Sequence, residues 1–373
     1  MSRTQTALVV GGGISGASAA IELARRGFAA RIIEREQVWQ ALGSGITLMG
    51  PALRALNRIG ILDRCFEAGV AVDEFRICTA GSEVIEVIPL PSPEPGVPGL
   101  LGMTRPELHR ILAEYADQQG VDVRLGVSIA DLRNESGSVT VRLSDGSEET
   151  YDLLVAADGF HSEARAAAFG KIEPVFRNQG VFRAVLPRPA EADAAFYFTG
   201  PGAQSGLTLI GPETLYMYVD VATDSTERLP QERLPELMRG HVTHLSGMAG
   251  ELRDLIEDPA KVDYRAMETL ILPAPTYRDR VVVIGDAAHT PTPQLAAGGA
   301  MCLEDSIVLA EELAGAASID EGLARYSSRR IGRCEFVVDV SAQLSRLQMD
   351  PADAGAGFTE VMGKSVAVLA EEF

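Results

Sequence analysis

The feature that most constrains this chain is a glycine-rich turn near its beginning. Gly11, Gly13 and Gly16 form the pattern G-x-G-x-x-G. The apolar run at 7–10 predicts a short buried strand before the turn, and the Ala-rich segment 14–26 predicts a helix after it. Without Cβ atoms, such a turn lets a pyrophosphate lie against backbone N–H groups at the positive end of the helix. The pattern is weak alone, but this strand–turn–helix context favours a dinucleotide cradle.

A carboxylate follows at the place where such a cradle needs one. Residues 29–33 predict the second strand of a βαβ unit, and Glu34 ends it. A carboxylate there accepts hydrogen bonds from the two hydroxyls of a ribose, and it repels a 2′-phosphate. The simpler alternative is a glycine-rich turn followed by a surface glutamate, which explains the context less well.

A second motif follows the predicted strand 153–156. It reads Asp158-Gly159-Phe160-His161-Ser162-Glu163-Ala164-Arg165. Its chemistry is that of a tight turn with an acid, a residue suited to cap a helix and a following arginine. Taken in isolation, it describes a capped helix start equally well.

A third motif lies near the end of the chain. Gly285-Asp286-Ala287-Ala288-His289 follows a buried strand, and small residues at 296–300 precede a predicted helix. An aspartate at the carboxyl end of a strand can bind sugar-alcohol hydroxyls, and small residues let a planar ring approach the helix N-terminus. Glu304 and Asp305 in that helix are expected to be structural, although Asp305 could touch the substrate side.

The composition limits the partners and the location. The chain has 373 residues, a net charge of −19 and 46% hydrophobic residues. Such a charge repels nucleic-acid phosphates and anionic lipid headgroups, and no apolar run approaches the roughly 18 residues of a membrane span. The 4 cysteines form no C-x-x-C pair, as expected for reduced thiols. We expect a cytoplasmic monomer or homodimer without nucleic-acid, membrane or metal partners.

The pattern of predicted strands and helices differs between two parts of the chain, which predicts two domains. Residues 5–34 and the strands near 121–156 fit a parallel sheet with a small antiparallel flap. From about 176 to 270 the pattern changes to short alternating strands and one polar helix, which predicts a second domain inserted into the first. The chain then ends in helices predicted over about 301–313 and 319–347.

Together, the three motifs resemble in order and spacing the FAD-dependent aromatic hydroxylases, the single-component flavoprotein monooxygenases similar to p-hydroxybenzoate, salicylate and urate hydroxylases. The resemblance spans about 5–345 and is weak across 176–270. It implies an α/β fold with a Rossmann-type FAD-binding domain on a parallel sheet, made of residues 1–175 and 271–373. A smaller α+β substrate-binding domain with a mostly antiparallel sheet would occupy 176–270.

The resemblance also implies which residues bind FAD, by their match to the family motifs. The nucleotide half of FAD would be held by the glycine turn, by the glutamate that binds the ribose and the arginine beside it, and by three residues of other elements. These residues are Gly11, Gly13, Ile14, Ser15, Gly16, Glu34, Arg35, Thr47, Arg105 and Ile129. Asp158 and Arg165 would support both FAD and a transiently bound nicotinamide. Asp286 would bind the ribityl chain, and Pro293 would lie over the reactive edge of the flavin.

One departure from the family pattern concerns the ring itself. The isoalloxazine would be contacted by the segment Ala296, Ala297, Gly298, Gly299 and Ala300. Relatives commonly carry Gln at the second of these positions and often Asn at the last. Backbone donors need no side chain and survive the change, whereas the polar contacts of Gln and Asn are lost.

The reaction that the resemblance implies uses NADH or NADPH and O₂. The nicotinamide reduces FAD, oxygen gives a flavin C4a-hydroperoxide, and hydroxyl passes to a small aromatic or heteroaromatic ring. The chain has one G-x-G-x-x-G, as expected if the nicotinamide binds without a Rossmann domain of its own. The alternatives are a flavoprotein oxidase or dehydrogenase without oxygen insertion, and a tailoring monooxygenase of a larger natural product.

Within the second domain, two aromatic residues are candidates for the substrate pocket. Tyr216 and Tyr218 alternate on a predicted strand and share a face, as do Phe182 and Ala184 on an earlier strand. Such a face would form the pocket ceiling. Arg183 matches a family position that favours an anionic or phenolate substrate. Catalytic roles are therefore expected for Pro293, Arg183 and Tyr216, with core packing of the tyrosines and a solvated arginine as the alternative.

Overall fold

The βαβ unit predicted at the start of the chain is present, and the remaining elements build on it. In the computed structural model, which describes residues 4–39, 44–200, 203–349 and 356–373, the strands are β1 (Thr6–Val10), β2 (Ala29–Glu34), β3 (Gly45–Met49), β4 (Val70–Val72), β5 (Glu74–Cys78), β6 (Val84–Pro89), β7 (Leu100–Thr104), β8 (Asp122–Leu125), β9 (Ile129–Asn134), β10 (Val139–Leu143), β11 (Glu148–Tyr151), β12 (Leu153–Ala156), β13 (Val175–Pro187), β14 (Ala195–Phe198), β15 (Gln204–Gly211), β16 (Thr214–Ala222), β17 (Val262–Ile271), β18 (Tyr277–Arg278), β19 (Val281–Val283) and β20 (His289–Thr290). The helices are α1 (Ile14–Arg25), α2 (Gly50–Ile59), α3 (Leu62–Ala68), α4 (Arg105–Gln118), α5 (Glu163–Phe169), α6 (Leu234–His241), α7 (Gly247–Asp254), α8 (Gly298–Gly315), α9 (Ile319–Met349) and α10 (Ala356–Ala370).

The first sheet is parallel and buried on both faces. Its order is β18-β19-β12-β1-β2-β8, and β18 alone is antiparallel to its neighbour. Alternate residues of β1 enter different cores: Ala7 and Val9 pack with α1, α4 and α8, while Leu8 and Val10 pack toward the antiparallel sheet β11-β10-β9. Burial on both faces explains why this strand reads as one apolar run.

The second large sheet has eight strands in the order β20-β17-β13-β16-β15-β14-β5-β6. Its pairs are antiparallel except for β14 with β5. The sheet thus takes the hairpin β5–β6 from outside 176–270. The boundaries 176–270 for a substrate domain stay a prediction. The sheet that such a domain would use also contains strands from outside this range, namely β5, β6 and β20.

A third sheet, β3-β7-β4, joins the two large sheets. Contact with the second sheet is close: a Cβ on Gly102 of β7 would lie 1.8 Å from the carbonyl oxygen of Leu209 in β15. Its three strands, and the helices α7 and α10, were not predicted from the sequence. Within the described residues, no helix is both long and apolar enough to cross a membrane.

Candidate active site

The glycine turn between β1 and α1 is shaped by close backbone contacts. Gly11 has a φ of +96°, and a Cβ there would lie 2.6 Å from the carbonyl oxygen of Ala157. A Cβ on Gly16 would lie 1.8 Å from the carbonyl oxygen of Gly11, whereas a Cβ on Gly13 would meet no atom within 4 Å. The first turn of α1 has no side-chain cap and no acidic residue. In the part of the chain that the structure describes, no side chain caps these N–H groups, so they can bind an anion in the space in front of Gly13.

Glu34 stands beside this turn at the end of β2. Its Oε2 accepts a hydrogen bond from the backbone N–H of Gly12 at 2.8 Å, and its Oε1 accepts one from Glu36 N–H at 3.0 Å. These bonds fix the carboxylate at the edge of the cradle, where a ribose is expected. The side chain of Arg35 is 76% exposed and lies 3.4 Å from Glu36. Arg35 is therefore largely exposed to solvent, and its contact with FAD stays a prediction.

Thr47 and Ile129, both predicted to contact FAD, lie in different sheets, β3-β7-β4 and β11-β10-β9. Thr47 lies in β3, and its Oγ1 is 3.0 Å from the hydroxyl of Tyr216. Ile129 begins β9 and packs against the apolar core under the antiparallel sheet β11-β10-β9. Val127, two residues earlier, donates its N–H to the carbonyl oxygen of Glu34 at 2.9 Å. Val127 is thus adjacent to the cradle edge. Its contact is made by the backbone, so its side-chain type gave no signal in the sequence.

The polar side chains of the Asp158 motif form hydrogen bonds within the protein. Oδ2 of Asp158 accepts from the N–H of Ala164 at 3.0 Å, and Oδ1 accepts from the hydroxyl of Ser162, which itself accepts from Arg165 N–H at 2.8 Å. Arg165 is buried and donates from Nη1 to the carbonyl oxygen of Ala287 at 2.7 Å. The motif therefore ties α5 to the turn after β19. A direct contact with FAD or nicotinamide stays a prediction.

The turn after β19 brings Asp286 against the cradle. Gly285 has a φ of +59°, and a Cβ there would lie 1.9 Å from Oγ of Ser15 in α1. Solvent reaches Asp286 although protein surrounds it. Burial raises the pKa of this carboxyl, while Arg105 and His289 oppose the rise. A side chain that protein surrounds and solvent still reaches lies in the wall of a cleft.

Arg105 lies in the same cleft. Its charge interacts with Asp286 after the first sheet and with Arg183 of the second sheet. It opens α4, and its Nε donates to the carbonyl oxygen of Gly45 at 3.1 Å. Burial and the like charge of Arg183 lower the pKa of Arg105, while Asp286 raises it. An arginine remains protonated in such surroundings. It therefore supplies a fixed positive charge to an anionic group bound in the cleft.

The loop before α8 ends in a free helix N-terminus. Pro293 begins a short 3-10 turn, Ala296 has a φ of +48°, and α8 begins at Gly298, three residues before the predicted start. The first turn of α8 has neither a side-chain cap nor an acid. Ala297 and Ala300 are buried. At these two positions, therefore, this chain offers a flavin ring backbone N–H groups and no polar side chain.

One face of the second sheet borders the cleft. Arg183 lies opposite Tyr218 in the register of β13 with β16, and Val185 lies opposite Tyr216, so the four side chains share a face. The ring of Tyr216 packs over Gly45, where a Cβ would lie 2.6 Å from its Cδ1. Tyr216 and Arg183 are thus brought to the cleft, as expected for substrate-facing residues. Their catalytic roles stay predictions.

The expectation that Phe182 and Ala184 belong to this pocket ceiling is wrong. In the same register Phe182 lies opposite Val219, on the other face of the sheet. It packs in the apolar core under α6 and α7, and its ring centroid lies 4.6 Å from that of Tyr264. The alternation along each strand was evident from the sequence, but the register between the two strands was not.

A buried ion-pair network supports the turn after β19 from behind. Oδ2 of Asp305 accepts from Gly285 N–H at 2.8 Å and lies 2.6 Å from Nε2 of His289. Its Oδ1 accepts from Nε of Arg330 at 2.7 Å, and Arg330 also donates to Glu304 at 2.8 Å. Glu304 and Asp305 are 0% exposed and Arg330 is 2% exposed. The two acids are structural, as expected, and the arginine partner in α9 was missed.

A glycine cradle on a parallel sheet, facing an acidic turn and a free helix N-terminus, defines a protein that binds a dinucleotide cofactor with a planar ring. A family model described as FAD binding domain matches residues 3–341. The chain therefore belongs to the FAD binding domain family, and FAD is its cofactor.

Individual relatives point to the same class. The chain is 32% identical to 2-heptyl-3-hydroxy-4(1H)-quinolone synthase of Pseudomonas aeruginosa, over 92% of this chain and 89% of that protein. It is 29% identical to aurachin C monooxygenase/isomerase of Stigmatella aurantiaca, again over 92% and 89%. The crystal structure of Klebsiella pneumoniae HpxO complexed with FAD and uric acid matches with a TM-score of 0.85 and 21% identity, over 98% of this chain and 95% of that one.

The HpxO structure confirms the α/β fold, and the family model and the named relatives confirm an FAD-dependent monooxygenase class for this chain. The residues present also fit the cofactor. The open space at Gly13, the uncapped first turns of α1 and α8, and the solvent-reached carboxylate of Asp286 offer anion, ring and hydroxyl contacts in one cleft. Each individual contact with FAD stays a prediction.

Proposed function

We propose that this monooxygenase hydroxylates a small aromatic or heteroaromatic ring, held between the Tyr216 and Tyr218 face of the second sheet and the Pro293 loop. When bound, FAD reduced by NADH or NADPH supplies activated oxygen at this place. The observation that carries the proposal is the position of Arg105. Its charge interacts with Asp286 on the cofactor side and with Arg183 and Tyr216 on the sheet side, so both sides border one cleft.

The protein's own groups would orient the ring and limit the access of water. The hydrogen bond between Tyr216 and Thr47, 3.0 Å long, holds the sheet face against β3. Burial raises the pKa of Tyr218 well above its ordinary value, so its hydroxyl stays protonated and can donate to a ligand. These groups position a substrate without adding a new charge to the cleft.

The relatives favour a heteroaromatic ring within this class. The Pseudomonas aeruginosa relative is named for a 4(1H)-quinolone, and the HpxO structure holds uric acid. Both compounds are nitrogen heterocycles. For the present chain, this supports a nitrogen heterocycle ahead of a simple benzoate.

The proposal is tested with a panel of benzoates, phenols, quinolones and purines. A substrate should accelerate the oxidation of NADH or NADPH by the FAD-loaded protein, and mass spectrometry with ¹⁸O₂ should find one labelled oxygen atom in the product. An oxidised product without the label would instead identify an oxidase or dehydrogenase. No acceleration by any compound would contradict the proposal for these classes.

Replacing Tyr216 by phenylalanine should lower the coupling of NAD(P)H oxidation to product formation by about fivefold, with unchanged FAD content. The change removes one hydrogen bond, with Thr47, worth about 1 kcal/mol. The measurement is the ratio of product formed to NAD(P)H consumed. Tyr264→Phe is the matched control, because Tyr264 packs in the core on the opposite face. Kinetics identical to wild type would assign Tyr216 to core packing.

We further propose a cytoplasmic location and a monomeric or homodimeric state. The four cysteines are buried and unpaired, as suits a reducing compartment that also supplies NADH and NADPH. Size-exclusion chromatography with light scattering tests the oligomeric state.

A further inference from the structure

A buried carboxylate lies on the cleft-facing side of the second sheet and has no part in the family motifs. Asp220 follows Tyr218 by two residues in β16, so the two side chains share a face. Asp220 is 5% exposed, and its Oδ2 accepts a hydrogen bond from Nε2 of Gln348 at 2.9 Å. Its Oδ1 accepts no hydrogen bond from any described residue, yet solvent reaches that atom. One oxygen is therefore anchored, and the other is available to a ligand.

The anchor connects Asp220 to the loop at the predicted reactive edge of the flavin. Gln294 follows Pro293 directly and donates from Nε2 to Oε1 of Gln348 at 3.0 Å. The Gln348 amide thus accepts from the loop and donates to the sheet, which fixes its orientation. This chain of two amides holds the carboxylate in a defined position relative to the loop.

The guanidinium of Arg183 lies close to this carboxylate. Arg183 is opposite Tyr218 in the strand register and therefore diagonal to Asp220 on the same face. Arg183 makes no hydrogen bond or ion pair within 4–39, 44–200, 203–349 and 356–373. Tyr218 and Tyr197 are the other titratable groups whose charges interact with Asp220. The cleft face thus offers one free acceptor and one free donor of opposite charge.

On the basis of the proposed function, we propose that Asp220 and Arg183 bind a neutral nitrogen heterocycle that carries an N–H group and a conjugated carbonyl. Asp220 Oδ1 accepts from the ring N–H, and Arg183 donates to the carbonyl oxygen. During turnover the N–H bond breaks, its electron pair stays in the ring, and the proton goes to Asp220 Oδ1. The negative charge gathers on the carbonyl oxygen beside Arg183, and the ring carbon that accepts oxygen becomes more electron-rich.

The electrostatics of the site agree with this assignment. Burial raises the pKa of Asp220 to about 6, while the hydrogen bond from Gln348 and the charge of Arg183 oppose the rise. At neutral pH the group is therefore ionised and a stronger base than an ordinary aspartate. The negative charge of Asp220 also partly neutralises Arg183. A carboxylate substrate would therefore gain less binding energy here than at an isolated arginine. A neutral ring with one donor and one acceptor matches both groups.

The test compares two probes on the FAD-loaded protein: 2-methyl-4(1H)-quinolone and its N-methyl derivative, which has no N–H. Binding is followed by the change in flavin absorbance of the oxidised protein, without turnover. The wild type should bind the N–H probe about tenfold more tightly, as expected for a hydrogen bond to a charged acceptor. This preference should weaken as the pH falls through about 6, where Asp220 becomes protonated.

Asp220→Asn should abolish both the preference and its pH dependence. Asp193→Asn, which changes an exposed carboxylate paired with Arg76 beside the same sheet, should keep both. Equal affinity of the wild type for the two probes, no binding of either probe, or an unchanged preference in Asp220→Asn would overturn the inference. The wild-type comparison decides even if Asp220→Asn fails to fold.

The outcomes also separate this inference from the proposed function. If the wild type hydroxylates some ring but shows no preference for the N–H probe, the Asp220 assignment fails alone. If the N–H preference and its loss in Asp220→Asn are observed but no ring is oxygenated, the binding assignment stands and the proposed reaction fails.

Discussion

Replacing Arg330 by alanine is expected to lower the free energy of unfolding by about 3–5 kcal/mol. The Arg330 guanidinium neutralises Asp305 and Glu304, which are both 0% exposed, at 2.7 and 2.8 Å. Once it is removed, His289 is the one positively charged partner of Asp305 among the residues that the structure describes, and Glu304 keeps Arg333. An uncompensated buried charge costs far more than a lost surface contact. Urea denaturation followed by circular dichroism measures the difference.

A neighbouring arginine on the same helix provides the matched control. Arg329 pairs with Glu311 and Glu312 at 3.1 and 2.9 Å, and its side chain is 35% exposed. Arg329→Ala should therefore cost less than about 1 kcal/mol. An Arg330→Ala protein as stable as Arg329→Ala would contradict the role of the network.

The dependence of this difference on pH has a defined sign. Burial alone would raise the pKa of Asp305, but His289 and Arg330 outweigh it and hold the pKa below its ordinary value. A group with a lowered folded-state pKa stabilises the protein above its unfolded pKa, about 3.9 for aspartate, and this contribution is lost as the pH falls further. The difference between wild type and Arg330→Ala should thus be complete at pH 7 and shrink under acid conditions.

The parts of the site that could be predicted from sequence are local in the chain. The glycine turn is read from Gly11, Gly13 and Gly16, because the strand, the turn and the helix are consecutive and each has its own periodicity. The turn at Asp286 is equally local. The contact of this turn with Ser15 follows from the parallel sheet, which places the carboxyl ends of its strands at one edge.

The parts that could not be predicted depend on pairings between distant segments. Asp220 meets Gln348 across 128 positions of sequence, and no periodicity links a strand residue to one particular turn of a long helix. Phe182 was placed on the wrong face for the same reason: alternation gives two faces, but only the register between β13 and β16 says which one meets the cleft. The inclusion of β5 and β6 in the second sheet is likewise a tertiary property.

Two positions beside the nucleotide cradle, Arg35 and Ile129, show the same limit of local sequence patterns. Arg35 follows Glu34 in sequence, yet at the end of a strand successive side chains point in opposite directions, and Arg35 is exposed. Val127 contacts the cradle edge through a backbone hydrogen bond to Glu34, and the contact of Ile129 with FAD stays a prediction. Since every residue type offers that bond, side-chain identity carries no signal for it.

Replacing Asp286 by alanine is expected to raise the dissociation constant of FAD by about 10- to 150-fold, the loss of one hydrogen bond to a charged acceptor of about 1.5–3 kcal/mol. Solvent reaches the carboxylate of Asp286 in the cleft, and its charge interacts with that of Arg105. Asp286→Asn, which keeps one acceptor oxygen, should fall between alanine and wild type. The control Asp320→Ala removes an exposed carboxylate paired with Arg280 and should leave FAD affinity unchanged.

The fluorescence of FAD released on dilution measures the dissociation constant. Urea denaturation of the same variants separates loss of the cofactor from unfolding. A folded Asp286→Ala protein that retains FAD as tightly as the control would remove Asp286 from the cofactor site.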